Sequence, residues 1–171
     1  MKNVRKIALL ALLAFAVPLH AHAQENAAAL SPSEQLELIS SWEGRWQVAE
    51  TPALEIVFEK TARGSVMVER WETASGLHSM TVYHLDGDAL VATHYCPQGN
   101  QPRLESLAGA DGQIRFTFRD VTDLDAGESH THDLWFAQAD DGTILRSEVY
   151  RGEGGLQEPG RYTLSRMPSG G

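Results

Sequence analysis

Residues 78–96, HSMTVYHLDGDALVATHYC, carry the pattern of a β-hairpin. Polar and apolar residues alternate on both sides of Asp86-Gly87, where glycine supplies the positive φ of a tight turn. The same dipeptide recurs at Asp111-Gly112 and Asp141-Gly142. Turns this short join strands that are neighbours in the sheet, so the pattern predicts an antiparallel meander.

Outward from this hairpin, short segments of alternating polarity fill the chain from Gly44 onward. The clearest is IRFTFR at 114–119, in which apolar and polar residues alternate strictly. Ten segments are predicted as strands: 45–50, 54–60, 65–73, 78–85, 89–96, 103–108, 113–119, 132–138, 143–151 and 160–166. Because ten such strands avoid exposed edges most simply by closing, we predict an all-β, up-and-down antiparallel β-barrel of about ten strands.

A short helix is predicted before the barrel. Ser31 can cap its first turn, Pro32 suits the first helical position, and Glu34 completes a capping box. The helix is expected to end near Ser41.

The first 23 residues have the features of a cleaved signal peptide. Lys2, Arg5 and Lys6 precede the apolar run IALLALLAFAV, and Ala21-His22-Ala23 is a small-x-small cleavage site. We therefore expect a signal peptide at 1–23, a flexible lead-in at 24–30 and a single β-barrel domain at 31–171. This organisation predicts a periplasmic or secreted protein without stable membrane insertion, present as a monomer or weak dimer.

The charge balance is strongly acidic. The chain has 14 Lys+Arg against 23 Asp+Glu, and loss of three positive charges with the signal peptide moves the net charge from −9 to −12. Nucleic acids and anionic membranes require basic surfaces, so neither is an expected partner. The single cysteine, Cys96, cannot form an internal disulfide.

Five of the seven histidines and the cysteine lie between positions 78 and 132. Two pairs stand out, His94-Tyr95-Cys96 and His130-Thr131-His132, because residues two apart on a strand point to one face. His94, Cys96, His130 and His132 together offer ligands suited to Zn or Cu, although their spacing is not that of a zinc finger. The alternative is that the first pair is interior and the second is solvated.

Polar and aromatic residues on the central strands are candidates to line a ligand pocket inside the barrel. Half of them must face outward if the strands alternate. For His84 and His94 the outcome depends on the register of the hairpin, because a one-residue slip flips a strand. The candidate ligand-binding residues are Glu69, Trp71, Tyr83, His84, His94, Tyr95 and Arg103, with Arg70 beside them.

Two stretches resemble known barrels. The helix followed by Gly44-Arg45-Trp46 resembles the entry to lipocalin and calycin barrels, in which a Gly-x-Trp motif closes the bottom of the cup. This resemblance implies that an arginine near the last strand, Arg166 or Arg161, packs over Trp46.

The central run resembles a group of uncharacterised bacterial calycin-like secreted proteins. It comprises residues 81–88 (TVYHLDGD), 93–96 (THYC) and 100–103 (NQPR), and a later Gly-His-x-His segment of that group matches residues 129–132 with serine in place of glycine. The resemblance implies the calycin fold and carries no established activity.

The sequence favours an exported barrel that binds a small, largely apolar or amphipathic molecule in its interior. This requires a sizeable cavity lined by Val, Met, Phe and Trp. The alternative is a Zn- or Cu-binding barrel, which requires at least three of the four metal candidates around one point. A third candidate function is assembly through the barrel exterior. Whether a reaction is catalysed stays open, because no nucleophile or metalloprotease motif is present.

Overall fold

The computed structural model describes residues 29–108 and 113–168, which form one α-helix, one short 3-10 helix (Ala62–Gly64) and eleven strands. Helix α1 spans Pro32–Ser41. The strands are β1 (Gly44–Val48), β2 (Leu54–Thr61), β3 (Val66–Thr73), β4 (Gly76–Asp86), β5 (Ala89–Tyr95), β6 (Gln101–Leu107), β7 (Ile114–Thr122), β8 (His130–Gln138), β9 (Ile144–Gly152), β10 (Gly155–Leu156) and β11 (Gly160–Arg166).

Ten of these strands close into an antiparallel barrel. The strands from β1 to β8 pair in sequence order, β8 pairs with β9, and β11 lies between β9 and β1. The two-residue strand β10 forms a small hairpin with β9 and does not join the ring. The predicted fold is confirmed, and each predicted strand has a counterpart. The signal peptide, residues 24–28 of the lead-in and the Asp111-Gly112 turn lie outside the described residues.

The hairpin at the centre of the sequence has a definite register. Asp86 pairs with Ala89, so Gly87 and Asp88 form a two-residue loop, with Gly87 at φ 63°. Position 81 consequently pairs with His94, and both side chains are buried. The buried face of β4 carries positions 79, 81 and 83, whereas His84 is on the opposite face.

Helix α1 covers one end of the barrel, which we call the closed end. Its predicted capping box is present: the Ser31 hydroxyl accepts from the Glu34 amide, and the Glu34 carboxylate accepts from the Ser31 amide at 2.8 Å. Below the helix, the Trp46 indole donates to the Trp42 carbonyl at 2.8 Å. The Arg166 guanidinium lies 4.5 Å from the centre of the Trp46 ring, which is the contact that the lipocalin resemblance implied.

Side chains fill the barrel from the closed end to about its middle. Because alternate residues of each strand point inward, large apolar residues from every side meet there and leave no room for a ligand. This core includes Trp46, Ile56, Phe58, Met67, Leu90, Leu104, Ile114, Phe116, Leu134, Phe136, Ile144 and Leu164. In the part of the chain that is described, no helix is both long and apolar enough to cross a membrane.

Candidate functional site

Between this core and the end of the barrel opposite α1, the interior contains three buried charged residues. Glu69 comes from β3, and Arg146 and Glu148 come from β9. Arg146 Nε donates to Glu69 Oε1 and Arg146 Nη1 donates to Glu148 Oε2, both at 2.7 Å. The side chains of Glu69, Arg146 and Glu148 are 0%, 1% and 7% exposed. We call these three residues the charge network.

Both carboxylate oxygens of Glu69 accept hydrogen bonds from neighbouring side chains. Its Oε1 also accepts from the Trp71 indole at 2.6 Å, and its Oε2 accepts from the Tyr83 hydroxyl. Burial and the charge of Glu69 raise the pKa of Tyr83 well above its ordinary value. Tyr83 is therefore a neutral donor, and Glu69 is an anion held by three donors.

Arg146 is held by aromatic rings as well as by carboxylates. Its guanidinium carbon is 4.5 Å from the centre of the Trp71 ring and 5.9 Å from that of Phe136, within cation–π range. Burial alone would lower the pKa of Arg146, but the charges of Glu69 and Glu148 outweigh it and raise that pKa. The guanidinium is thus permanently charged and rigidly placed.

His94 contributes a polar atom without a partner. Its Nδ1 is 2.9 Å from the Thr81 hydroxyl, whereas its Nε2 is buried and has no hydrogen-bond partner among the described residues. Burial, followed by the positive charge of Arg146, lowers the pKa of His94 to about 4. The ring is therefore neutral at pH 7, and its Nε2 makes no hydrogen bond to the described residues.

His94 is one of the residues that line a cavity of about 180 Å³, which we call the chamber. Its lining residues are partly aromatic and partly polar. The lining residues are Trp71, His78, Ser79, His94, Pro97, Glu148, Tyr150 and Tyr162.

A second cavity of about 510 Å³, the mouth groove, lies at the end of the barrel opposite α1. It shares Trp71, His78 and Tyr162 with the chamber, so these three residues separate the two spaces. Apart from them, the groove is lined by small or apolar residues of the β1–β2 loop, the β3–β4 turn and the adjoining ends of β2 and β3: Thr51, Ala53, Leu54, Thr73, Ala74 and Ser75.

Two tyrosines complete the chamber. Burial and the charge of Glu148 raise the pKa of Tyr150 to about 12 and also raise that of Tyr162. The Tyr162 ring meets Trp71 edge-to-face, with 4.9 Å between the ring centres. Both hydroxyls are therefore neutral at pH 7, and Glu148 supplies the negative charge of the chamber wall.

The structure brings together four of the seven predicted ligand-binding residues. Glu69, Trp71, Tyr83 and His94 are all buried in the upper barrel. Of these, Trp71 and His94 line the chamber, whereas Glu69 and Tyr83 support it from below.

The other three predicted ligand-binding residues are not in the interior. His84 is on the outer face of β4 and Tyr95 on that of β5, because the hairpin loop is Gly87-Asp88. Arg103 is exposed and makes a two-pronged ion pair with Asp120, at 2.6 and 2.7 Å. The structure therefore places these three residues outside the pocket.

The four predicted metal ligands do not form a site. His94 bonds to Thr81 inside the barrel, whereas the His130 and His132 rings lie against Phe118, with ring centres 4.7 and 5.5 Å from it. Within residues 29–108 and 113–168, no three His, Cys, Asp or Glu side chains are grouped so that they could hold a metal ion. The geometry therefore gives no support to Zn or Cu at these positions.

Sequence reasoning missed the half of the site that comes from β9 and β11. Arg146, Glu148 and Tyr150 are two residues apart, so they share one face of β9 with buried Ile144. In the sequence, Arg146 and Glu148 alternate in step with apolar Ile144, and this pattern could have indicated two charged residues facing the interior. Tyr162 on β11 gave no comparable signal, because its neighbours are Arg161 and Thr163.

Comparison of the chain with models of known protein families gives no match, and comparison with curated proteins gives no significant match.

Proposed function

We propose that this protein is an exported, calycin-like barrel that binds one small amphipathic molecule at its open end. The observation that carries the proposal is the chamber next to the mouth groove. Its lining residues include His94, whose buried Nε2 has no hydrogen-bond partner among the described residues. A buried polar atom without a partner costs free energy that a ligand would recover.

The two cavities suit the two ends of such a molecule. The chamber alone is smaller than the roughly 300–1,000 Å³ of usual ligand pockets, whereas the mouth groove is within that range. The polar end fits the chamber, which offers His94, Glu148 and two tyrosine hydroxyls. The apolar end fits the groove beside Leu54 and Trp71.

This proposal revises the expected lining of the cavity. Methionine and phenylalanine side chains such as Met67, Phe58 and Phe136 pack the lower barrel, and only Trp71 represents the expected lining types in the chamber. The ligand is therefore better described as amphipathic than as largely apolar, and it occupies the upper barrel only.

A fluorescence titration with N-phenyl-1-naphthylamine, an uncharged dye with two apolar aromatic groups and one polar N–H group, tests the proposal. We expect saturable 1:1 binding of the dye. Ala53→Trp should lower the affinity for the dye at least tenfold, because the indole would fill the mouth groove. Ala139→Trp is the matched control, since Ala139 is an exposed position in the turn between β8 and β9. The proposal fails if the dye does not bind, or if both variants bind it like the wild type.

A further inference from the structure

We propose that the ligand's polar end is a protonated amine, which occupies the chamber and pairs with Glu148. This inference rests on the function proposed above and names the class of molecule.

The first argument is charge. The charge network contains two carboxylates and one guanidinium, and the neighbouring His94 is neutral at pH 7. The upper barrel therefore carries one uncompensated negative charge in a nearly dry interior. Burying such a charge is costly unless a counter-ion pairs with it, and a cation in the chamber would supply that pairing.

The second argument is which carboxylate faces the chamber. Glu69 accepts three hydrogen bonds and does not line the cavity. Glu148 accepts from Arg146 on Oε2 and does line the cavity. The net charge of the network is thus presented to the ligand through Glu148.

The third argument is the remaining wall. Trp71, Tyr150 and Tyr162 are aromatic, and aromatic rings around a carboxylate attract cations. His94 Nε2 presents a lone pair when Nδ1 carries the proton and donates to Thr81, whose hydroxyl can accept. An ammonium group would therefore find a carboxylate, rings and a nitrogen acceptor.

The same geometry disfavours a carboxylate or phosphate. Arg146, the cation of the charge network, does not line the chamber, and it donates through Nε to Glu69 and through Nη1 to Glu148. An anion in the chamber would meet Glu148 without a compensating cation.

The test compares three probes of one chain length by calorimetry at pH 7 in 0.15 M salt, where exposed charges are largely screened. They are octylammonium, 1-octanol and octanoate. We expect octylammonium to bind at least ~10-fold more tightly than 1-octanol, equivalent to about 1.4 kcal/mol, and octanoate to bind most weakly. Equal affinities would refute the amine while leaving the binding function intact; no binding by any probe would remove both.

Single substitutions test whether the ammonium group of the probe binds beside Glu148. Glu148→Gln should weaken octylammonium at least ~10-fold and change 1-octanol less than ~2-fold, which also shows that the site is folded. Glu105→Gln, an outer-face carboxylate near Arg119, is the charge-matched control and should change neither. If Glu148→Gln does not fold, His78→Lys replaces it, because a lysine ammonium at this exposed lining position of the chamber should compete for Glu148, weaken octylammonium at least ~10-fold and change 1-octanol less than ~2-fold. Unchanged octylammonium binding in the variant used would overturn the proposal.

Discussion

Replacement of Arg146 by methionine should be among the most destabilising single changes in this barrel. Methionine keeps most of the volume but leaves Glu69 and Glu148 buried without their shared cation. Removing one partner of a buried ion pair costs roughly 3–5 kcal/mol, because the remaining charge is uncompensated. For a domain of this length ~1 kcal/mol corresponds to roughly 3–4 °C, so the melting temperature should fall by roughly 10–20 °C.

Thermal and urea unfolding, followed by circular dichroism at pH 7, measures this loss. Arg103→Met is the matched control, since it breaks an exposed pair with Asp120 and should leave the midpoint close to that of the wild type. The triple variant Arg146→Met, Glu69→Gln, Glu148→Gln removes the stranded charges and should recover more than half of the loss. A single variant that loses less than ~1 kcal/mol, or a triple variant that recovers nothing, would refute the role assigned to the charge network.

Two further changes test other parts of the structure. The pKa of His94 is about 4 in the folded state and 6.5 in the unfolded state, so between these pH values the unfolded state binds one more proton. The free energy of unfolding should therefore fall by up to about 1.4 kcal/mol per pH unit as the pH drops from 6.5 toward 4. Urea unfolding at several pH values should show a flatter slope for His94→Asn, and an unchanged slope would contradict this assignment. Gly87→Ala should lower the free energy of unfolding by ~1 kcal/mol, because φ at this position is 63°. Gly154 has no positive φ, so Gly154→Ala should leave the free energy of unfolding nearly unchanged in the same assay. Equal effects of the two substitutions would contradict the assignment of the turn.

The strands and the helix could be predicted because their signals are local. Alternating polarity marks each strand, the glycine after Asp86 marks a turn, and Ser31 with Glu34 marks the helix start. The register was beyond this information. A two-residue loop and a three-residue loop at this turn look alike in sequence, yet the two-residue loop places His94 on the face opposite His84, as observed, and a three-residue loop would place both on one face.

The site itself depends on contacts that no local pattern encodes. Arg146 bonds to Glu69, 77 residues earlier in the chain and on a strand that is not its neighbour in the sheet. Which inward residues meet across the interior is set by strand tilt and stagger, which the alternation of polarity does not reveal. For the same reason the histidine pairs looked like two halves of one site, whereas His130 and His132 pack on Phe118 instead.

The position of the charge network supports the proposed binding function more than a role in stability. Buried ion pairs can often be replaced by apolar residues of similar volume without loss of stability. This chain fills its lower barrel in that way, with Phe58, Phe116 and Phe136. Had the upper interior needed only to be filled, the same residue types would have sufficed there. Instead, Glu148 and His94 lie where the apolar packing stops, beside the chamber, which is where a ligand would reach them.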